Sequence, residues 1–235
     1  MSRRSYYHIA ALPILADLGS VPPWTLANLL EHVSDLGPAR QVVATLLLGD
    51  DLAQREALLS GEVTEVSPAV LSPEQLADQQ PLPQWLGERI EESSSRQAGD
   101  AVWAAYFAQA LDVARKTGSE FLAAWVGHEV ALRNALAEAR ARALGLDPAN
   151  YLVAAELGRT EADFGPLLAE WTAAADPLAA QQVLDRARWT WLSDHDRWFS
   201  FTEDELAVYA ARLMLLQRWH RVAAAVSAAS GGQAR

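Results

Sequence analysis

The sequence predicts an all-α protein, a helical bundle of paired helices, on three observations. Apolar residues recur at three- and four-residue spacing along most of the chain, alanine and leucine are abundant, and prolines and glycines of the early segments fall at helix edges. Hydrophobic residues make up 51% of 235, enough to build a core, and a single helical domain over 1–235 is expected. Within it, lobes at 1–60 and 100–228 flank an irregular region, 61–99.

Only short pieces such as Tyr6–Ala10 have strand character. From about Trp24 to Ser60 the pattern gives two or three short helices, broken at Gly37-Pro38 and again at Gly49-Asp50-Asp51. The next stretch, Gly61 to Gly99, holds Pro68, Pro73, Pro81, Pro83 and the run Ser93-Ser94-Ser95, so it reads as turns with isolated short helices. Asp100–Leu144 is a helical hairpin turned at Thr117-Gly118-Ser119. Its second arm places Arg140 and Arg142 in the last turn and Gly145 just beyond, which suits the helix dipole and a left-handed cap.

Between Asp147 and Trp171, Gly158 and Gly165-Pro166 limit helices to a few turns. Asp176 then caps a long helix with Pro177 at its first position. This helix contains RWTWLSDHDRWFSF, residues 188–201, with three of the nine tryptophans. Leu184, Ala187, Trp191 and Trp198 follow one face and Trp189, Leu192 and Phe199 a second, so the helix is expected to be covered on two sides and to end near Ser200. Thr202 and Glu205 form a capping box, with Phe201 stapled onto Leu206, for a last helix running to about Ala225 before a frayed tail.

Composition narrows function. The chain has no cysteine, which removes disulfides, thiolate zinc sites and cysteine nucleophiles. A net charge of −11 repels phosphate backbones and anionic lipid, so neither nucleic-acid binding nor membrane insertion is expected. No apolar run approaches the roughly 20 residues of a membrane-spanning helix. The start, MSRRSYYHIAALPILADLGS, carries two arginines before a short apolar run that contains Pro13 and lacks a cleavage site, and is not read as an export signal.

Among candidate chemical groups, Asp194, His195, Asp196 and His220 are the one set that suggests a metal-dependent hydrolase. Consecutive helical residues point about 100° apart, however, so they converge only if the helix has ended. His128-Glu129 opens like a zincin motif but has Leu132 where the second histidine belongs. Glu129 and Arg133, four apart, can pair along one helix face. Asp50-Asp51 and Glu91-Glu92 stand at loop-like positions and read as solvated charge. The usual nucleophile-elbow, phosphate-loop and dinucleotide motifs are missing, so no catalytic residue, cofactor or metal is expected.

Several segments together resemble a known family. These are Tyr6-Tyr7-His8-Ile9-Ala10-Ala11-Leu12-Pro13, Glu129 to Leu136 with Arg133 inside and Arg140-Ala141-Arg142 behind, Asp176-Pro177-Leu178, Leu184 to Trp189, and Phe201 through Tyr209 to Arg218-Trp219. They are similar to the bacterial DUF2764 family over nearly the whole chain, most weakly at 61–99. That family distantly resembles the C subunit of V/A-type ATPases, termed d in eukaryotes, and is encoded among V-type ATPase subunits. The resemblance implies a funnel-shaped helical protein, like the C subunit of V-type ATPases, in the cytoplasm and peripheral to the inner membrane, coupling the central stalk to the membrane rotor ring. It makes Tyr6, Tyr7, Leu12, Pro13, Glu129, Arg133, Asp176, Pro177, Trp189, Trp191, Tyr209, Arg218 and Trp219 the candidate packing and interaction residues. The chain is shorter than the usual three-unit C subunit, and an adaptor or assembly factor for the same ATPase is the alternative.

Overall fold

The computed structural model describes residues 3–91, 98–160, 162–196 and 202–232, and every regular element among them is helical. The α-helices are α1 (Arg3–Ala10), α2 (Leu26–His32), α3 (Gly37–Leu59), α4 (Pro73–Leu76), α5 (Gln84–Glu91) and α6 (Ala98–Thr117). They continue with α7 (Glu120–Ala143), α8 (Gly165–Thr172), α9 (Pro177–Asp194) and α10 (Glu203–Gly232). Two 3₁₀ turns, Pro148–Tyr151 and Ala155–Leu157, lie between α7 and α8. None of the helices searched among the described residues is long and apolar enough to cross a membrane.

Local signals place several of these boundaries. The hairpin turns at Gly118, whose φ of 74° favours a residue without Cβ. Ser119 then caps α7 by accepting from the Leu122 amide. Gly145, φ 69°, follows the other end of α7. Asp176 accepts from the Ala179 amide and Pro177 opens α9, as their types predict.

Helix α10 packs along α3, and α6 joins α3 to α7. Their shared interior is built from leucines such as Leu29, Leu46, Leu122, Leu206, Leu213 and Leu216, all essentially inaccessible. A smaller apolar cluster of Leu132, Leu136 and Leu184 is covered by Phe164, Leu167, Leu168 and Trp171 where α7, α8 and α9 meet. The amino-terminal segment is tied down by α10. Tyr209 donates to the Pro13 carbonyl at 2.9 Å, Gln217 to the Trp24 carbonyl at 2.7 Å, and His220 to the Ser20 carbonyl at 2.8 Å.

Four expectations are corrected. Residues Tyr6–Ala10 belong to helix α1, not to a strand. Helix α3 runs straight through Gly49-Asp50-Asp51, and both aspartates are buried, at 5% and 0% exposure. Gly49 is there for a packing reason: a Cβ on it would lie 2.6 Å from the Tyr106 hydroxyl oxygen. Asp51 accepts the amides of Ala69, Val70 and Leu71 at 2.9, 2.7 and 2.7 Å, which fastens the irregular segment before α4 onto α3.

The third correction is the end of α9, at Asp194 rather than Ser200. His195 leaves helical geometry and folds its ring over Trp191, with Nδ1 donating to the Trp191 carbonyl at 2.8 Å. Fourth, α10 continues to Gly232 instead of ending near Ala225, in keeping with the strong helix propensity of its alanines. Trp198, Phe199, the Phe201 staple and Ser93–Ser95 lie outside the described residues.

Candidate functional site

A cleft of about 620 Å³ is walled by α3, α6, α7, α9 and α10. Each wall reads off a helical period. Leu46, Gly49, Asp50 and Ala53 come from one face of α3, and Asp100, Trp103 and Phe107 from one face of α6. Trp125, Glu129, Arg133, Leu136 and Arg140 do the same on α7, Gln181 and Arg188 on α9, and Met214, Leu215 and Arg218 on α10.

The cleft is charged because the helices turn ionised side chains into it and balance them across the gaps. Both oxygens of Glu129 accept from Arg188, from Nε at 2.8 Å and Nη2 at 2.9 Å. Asp185, 1% exposed, accepts from Gln181 at 2.8 Å and stands 3.6 Å from Arg188 Nη1 and 3.8 Å from Arg218 Nε. Asp50 accepts from Gln54 at 2.9 Å and from Arg221 at 2.5 Å. Arg133 lies over the Trp103 ring, 4.9 Å from its centre, and 3.7 Å from Asp100, while the Trp103 indole N–H donates to Glu56 at 3.0 Å.

Burial and charge act against each other here. Burial alone would raise the Glu129 carboxyl, but the charge and hydrogen bonds of Arg188 hold it below its ordinary value. Burial would lower Arg188, and Glu129 raises it instead. At Arg218 and Arg133 burial wins: both guanidiniums are held below the ordinary arginine value despite their acidic neighbours. Tyr106, buried beside Glu129, is raised by burial and by that charge.

The sequence-predicted residues fall into separate places. Glu129, Arg133 and Arg218 meet in the cleft. The expected pair along α7 is not made, because Glu129 is taken by Arg188 of α9 and Arg133 is turned to Asp100 of α6. Tyr6 and Tyr7 are exposed on α1, whereas Leu12, Pro13 and Tyr209 line a small pocket between the amino-terminal segment and α10. Burial there pushes the Tyr209 hydroxyl up to about 12. Trp219 packs close to Gly19.

Asp176 and Pro177 serve as cap and first residue of α9. Trp189 is half-buried under the Arg212 guanidinium, 4.5 Å from its ring centre. Trp191, also half-buried, is stacked between His195 at 3.7 Å and His128 at 4.8 Å and meets Trp125 at 5.4 Å. The four residues of the hydrolase reading are not brought together. His195 stacks on Trp191, Asp196 pairs with Arg212 at 2.8 Å, and His220 binds the Gly19 and Ser20 carbonyls. No group of three or more potential ligands stands at metal-binding distance among the described residues.

Sequence reasoning missed Asp50, Trp103, Tyr106, Gln181 and Arg188 as parts of the cleft, and Asp185 buried behind it. A signal existed: polar and charged residues repeat at three- and four-residue spacing on otherwise apolar helices, as in Gln181, Asp185, Arg188. Chemically, the cleft offers guanidinium N–H donors, carboxylates and aromatic walls.

No curated protein and no solved structure matches the chain. The family model described as "Protein of unknown function (DUF2764)" matches residues 40–162, from the first turn of α3 to just before α8, and so includes Asp50, Tyr106, Glu129 and Arg133. With more than half of its length matched in this way, the protein belongs to the DUF2764 family.

Proposed function

We propose that this protein is a non-enzymatic cytoplasmic component of a bacterial V/A-type rotary ATPase, linking the central stalk to the membrane rotor ring as the C subunit does. The observation that carries the reading is membership in DUF2764; the rotor role is inferred from the resemblance of that family to the C subunit. The all-helical build agrees with that role, since a coupler under torque needs dense packing between helices.

Ion bridges reinforce the contacts between the long helices: Glu129–Arg188 joins α7 to α9, and Asp50–Arg221 joins α3 to α10. The acidic balance, −11 overall, suits basic loops on a ring or stalk partner. Tyr7, Ile14 and Val21, exposed by 71, 83 and 79%, supply apolar contact area near the amino end.

The test is a mild-detergent pull-down of tagged protein from its own host, with mass spectrometry of retained chains. Rotor-ring and stalk subunits in fixed ratio are expected. Substoichiometric capture of incomplete complexes would make the protein an assembly factor, and recovery of no ATPase component would remove the reading.

A further inference from the structure

We propose that His128 is a pH-sensitive latch: its neutral ring holds the segment that follows α7 against that helix, and protonation of the ring releases it. The latch does not depend on the rotor role.

The segment runs back along one face of α7. Asn134 clamps it first, donating to the Val153 carbonyl at 3.0 Å and accepting the Val153 amide at 2.9 Å. Further back, a Cβ on Gly158 would stand 3.5 Å from the Ala131 backbone, and one on Gly127 would stand 2.5 Å from the Arg159 carbonyl oxygen. Positions 134, 131 and 127 share a face by helical spacing, and His128 lies on it beside them. Phe164 meets the helix there, its ring 5.5 Å from the imidazole. Of residues 152–160 only Val153 is buried, and Ala154 holds a φ of 46° that a residue with a Cβ rarely adopts. A segment held this lightly can open without the rest of the fold.

His128 is 5% exposed and lies between Phe164 and Trp191 of α9, whose ring is 4.8 Å away and nearly parallel. Its Nδ1 is buried without a hydrogen-bond partner. A neutral imidazole can leave that nitrogen as a bare acceptor. Protonation makes both nitrogens donors and strands a charged N–H with nothing to accept it. The charged groups around the ring give little relief. Glu129, next along α7, commits both oxygens to Arg188 of α9, and His195, past the end of α9, adds a second positive charge when protonated. Phe164 and Trp191 bring no charge. Burial lowers the ring below its ordinary 6.5; Glu129 opposes this, and Arg188 and His195 add to it.

Once released into water, the ring regains its ordinary value. The advantage of the closed state is therefore fully present above pH 6.5 and is lost as pH falls from there toward the lower folded value. At pH 5.5 the open fraction can grow by at most about tenfold. Phe164 also covers Leu132, Leu136 and Leu184, so release exposes apolar surface on α7 and α9.

The experiment follows hydrogen exchange of the full-length protein from about pH 7.5 to about pH 5.5, corrected for the intrinsic pH dependence of exchange. The Leu157 and Gly158 amides, bonded to the Ala154 and Ala155 carbonyls, are the reporters, with Val153 beside them. Their exchange should accelerate about threefold to tenfold while α3 stays unchanged. His128→Phe keeps a flat ring but cannot titrate, so the acceleration should disappear in it. Proton NMR of the unmodified protein gives a reading that does not require the variant to fold: the His128 ring should titrate below pH 6.5, and His195→Gln should move its midpoint upward. Three results would each overturn the proposal: acceleration below about twofold, the same acceleration in His128→Phe, or a His128 midpoint at or above the ordinary histidine value.

Discussion

Glu129 and Arg188, on α7 and α9, form a two-point ion pair at 2.8 and 2.9 Å with side chains only 16 and 12% exposed. The pair matters less for the attraction it adds than for what remains when half of it is removed. Glu129→Ala leaves the Arg188 charge buried, and denaturant unfolding should show a loss of about 3–5 kcal/mol. Glu129→Leu combined with Arg188→Met should recover most of that loss, because the stranded charge goes with it.

The same pair has a defined pH signature. Since Arg188 holds the folded Glu129 carboxyl below its ordinary 4.5, its stabilisation is fully present above pH 4.5 and is lost as pH falls through the lower folded value. Unfolding midpoints measured from pH 7 down to pH 3 should therefore decline less steeply in Glu129→Gln than in the unaltered protein. Parallel declines would mean that other carboxyls set the acid limit.

Asp51 should prove a structural fastener. One of its oxygens accepts from Ala69 and the other from both Val70 and Leu71. Asp51→Asn turns an N–H₂ group toward one of these donors, so a loss of about 1–3 kcal/mol is expected. Hydrogen exchange should accelerate at Ala69, Val70 and Leu71 before it does in α3; uniform acceleration would mean that the segment is held by other contacts.

Gly49→Ala tests close approach against helix propensity. Alanine favours a helix interior by about 1 kcal/mol over glycine. A Cβ at position 49, however, would stand 2.6 Å from the Tyr106 hydroxyl and 3.0 Å from Cζ. Net destabilisation of about 1–3 kcal/mol is expected. Tyr106→Phe in the same chain removes the nearest atom, so the double variant should be more stable than the two separate losses predict. Simple additivity in thermal unfolding would count against the contact.

Trp191→Ala empties a ring stacked against His128, His195 and Trp125. The side chain is half-buried, so the cost belongs at the low end of the aromatic range, about 3 kcal/mol. A loss below about 1 kcal/mol would show that the ring serves a partner more than the fold.

Association with the ATPase should weaken as ionic strength rises, if acidic surface meets basic loops. Between about 0.05 and 0.5 M salt the screening length shrinks several-fold, and exposed ion pairs weaken with it. An affinity indifferent to salt would place the contact on apolar residues such as Ile14 and Val21.

What the sequence by itself determined is local. All-α class, the turn at Gly118, the caps Ser119 and Asp176, and the first turn of α9 at Pro177 depend on spacing and on one residue's backbone preference. Such signals act within a turn or two, so they are written next to their effect. They misled where composition imitated a local rule: Gly49-Asp50-Asp51 has turn residues, and Glu129 with Arg133 has the spacing of a helical pair.

Tertiary structure decided those cases and, with them, the cleft. Gly49 makes room for Tyr106, Asp51 is claimed by amides 18 to 20 residues away, and Glu129 is claimed by Arg188, 59 residues away. A buried charge must find a partner wherever packing brings one, and its desolvation cost outweighs the few tenths of a kcal/mol that an exposed pair on one helix contributes. Which helices would meet is not encoded in the spacing within any one of them, so the charged stripes were visible in the sequence while their convergence was not.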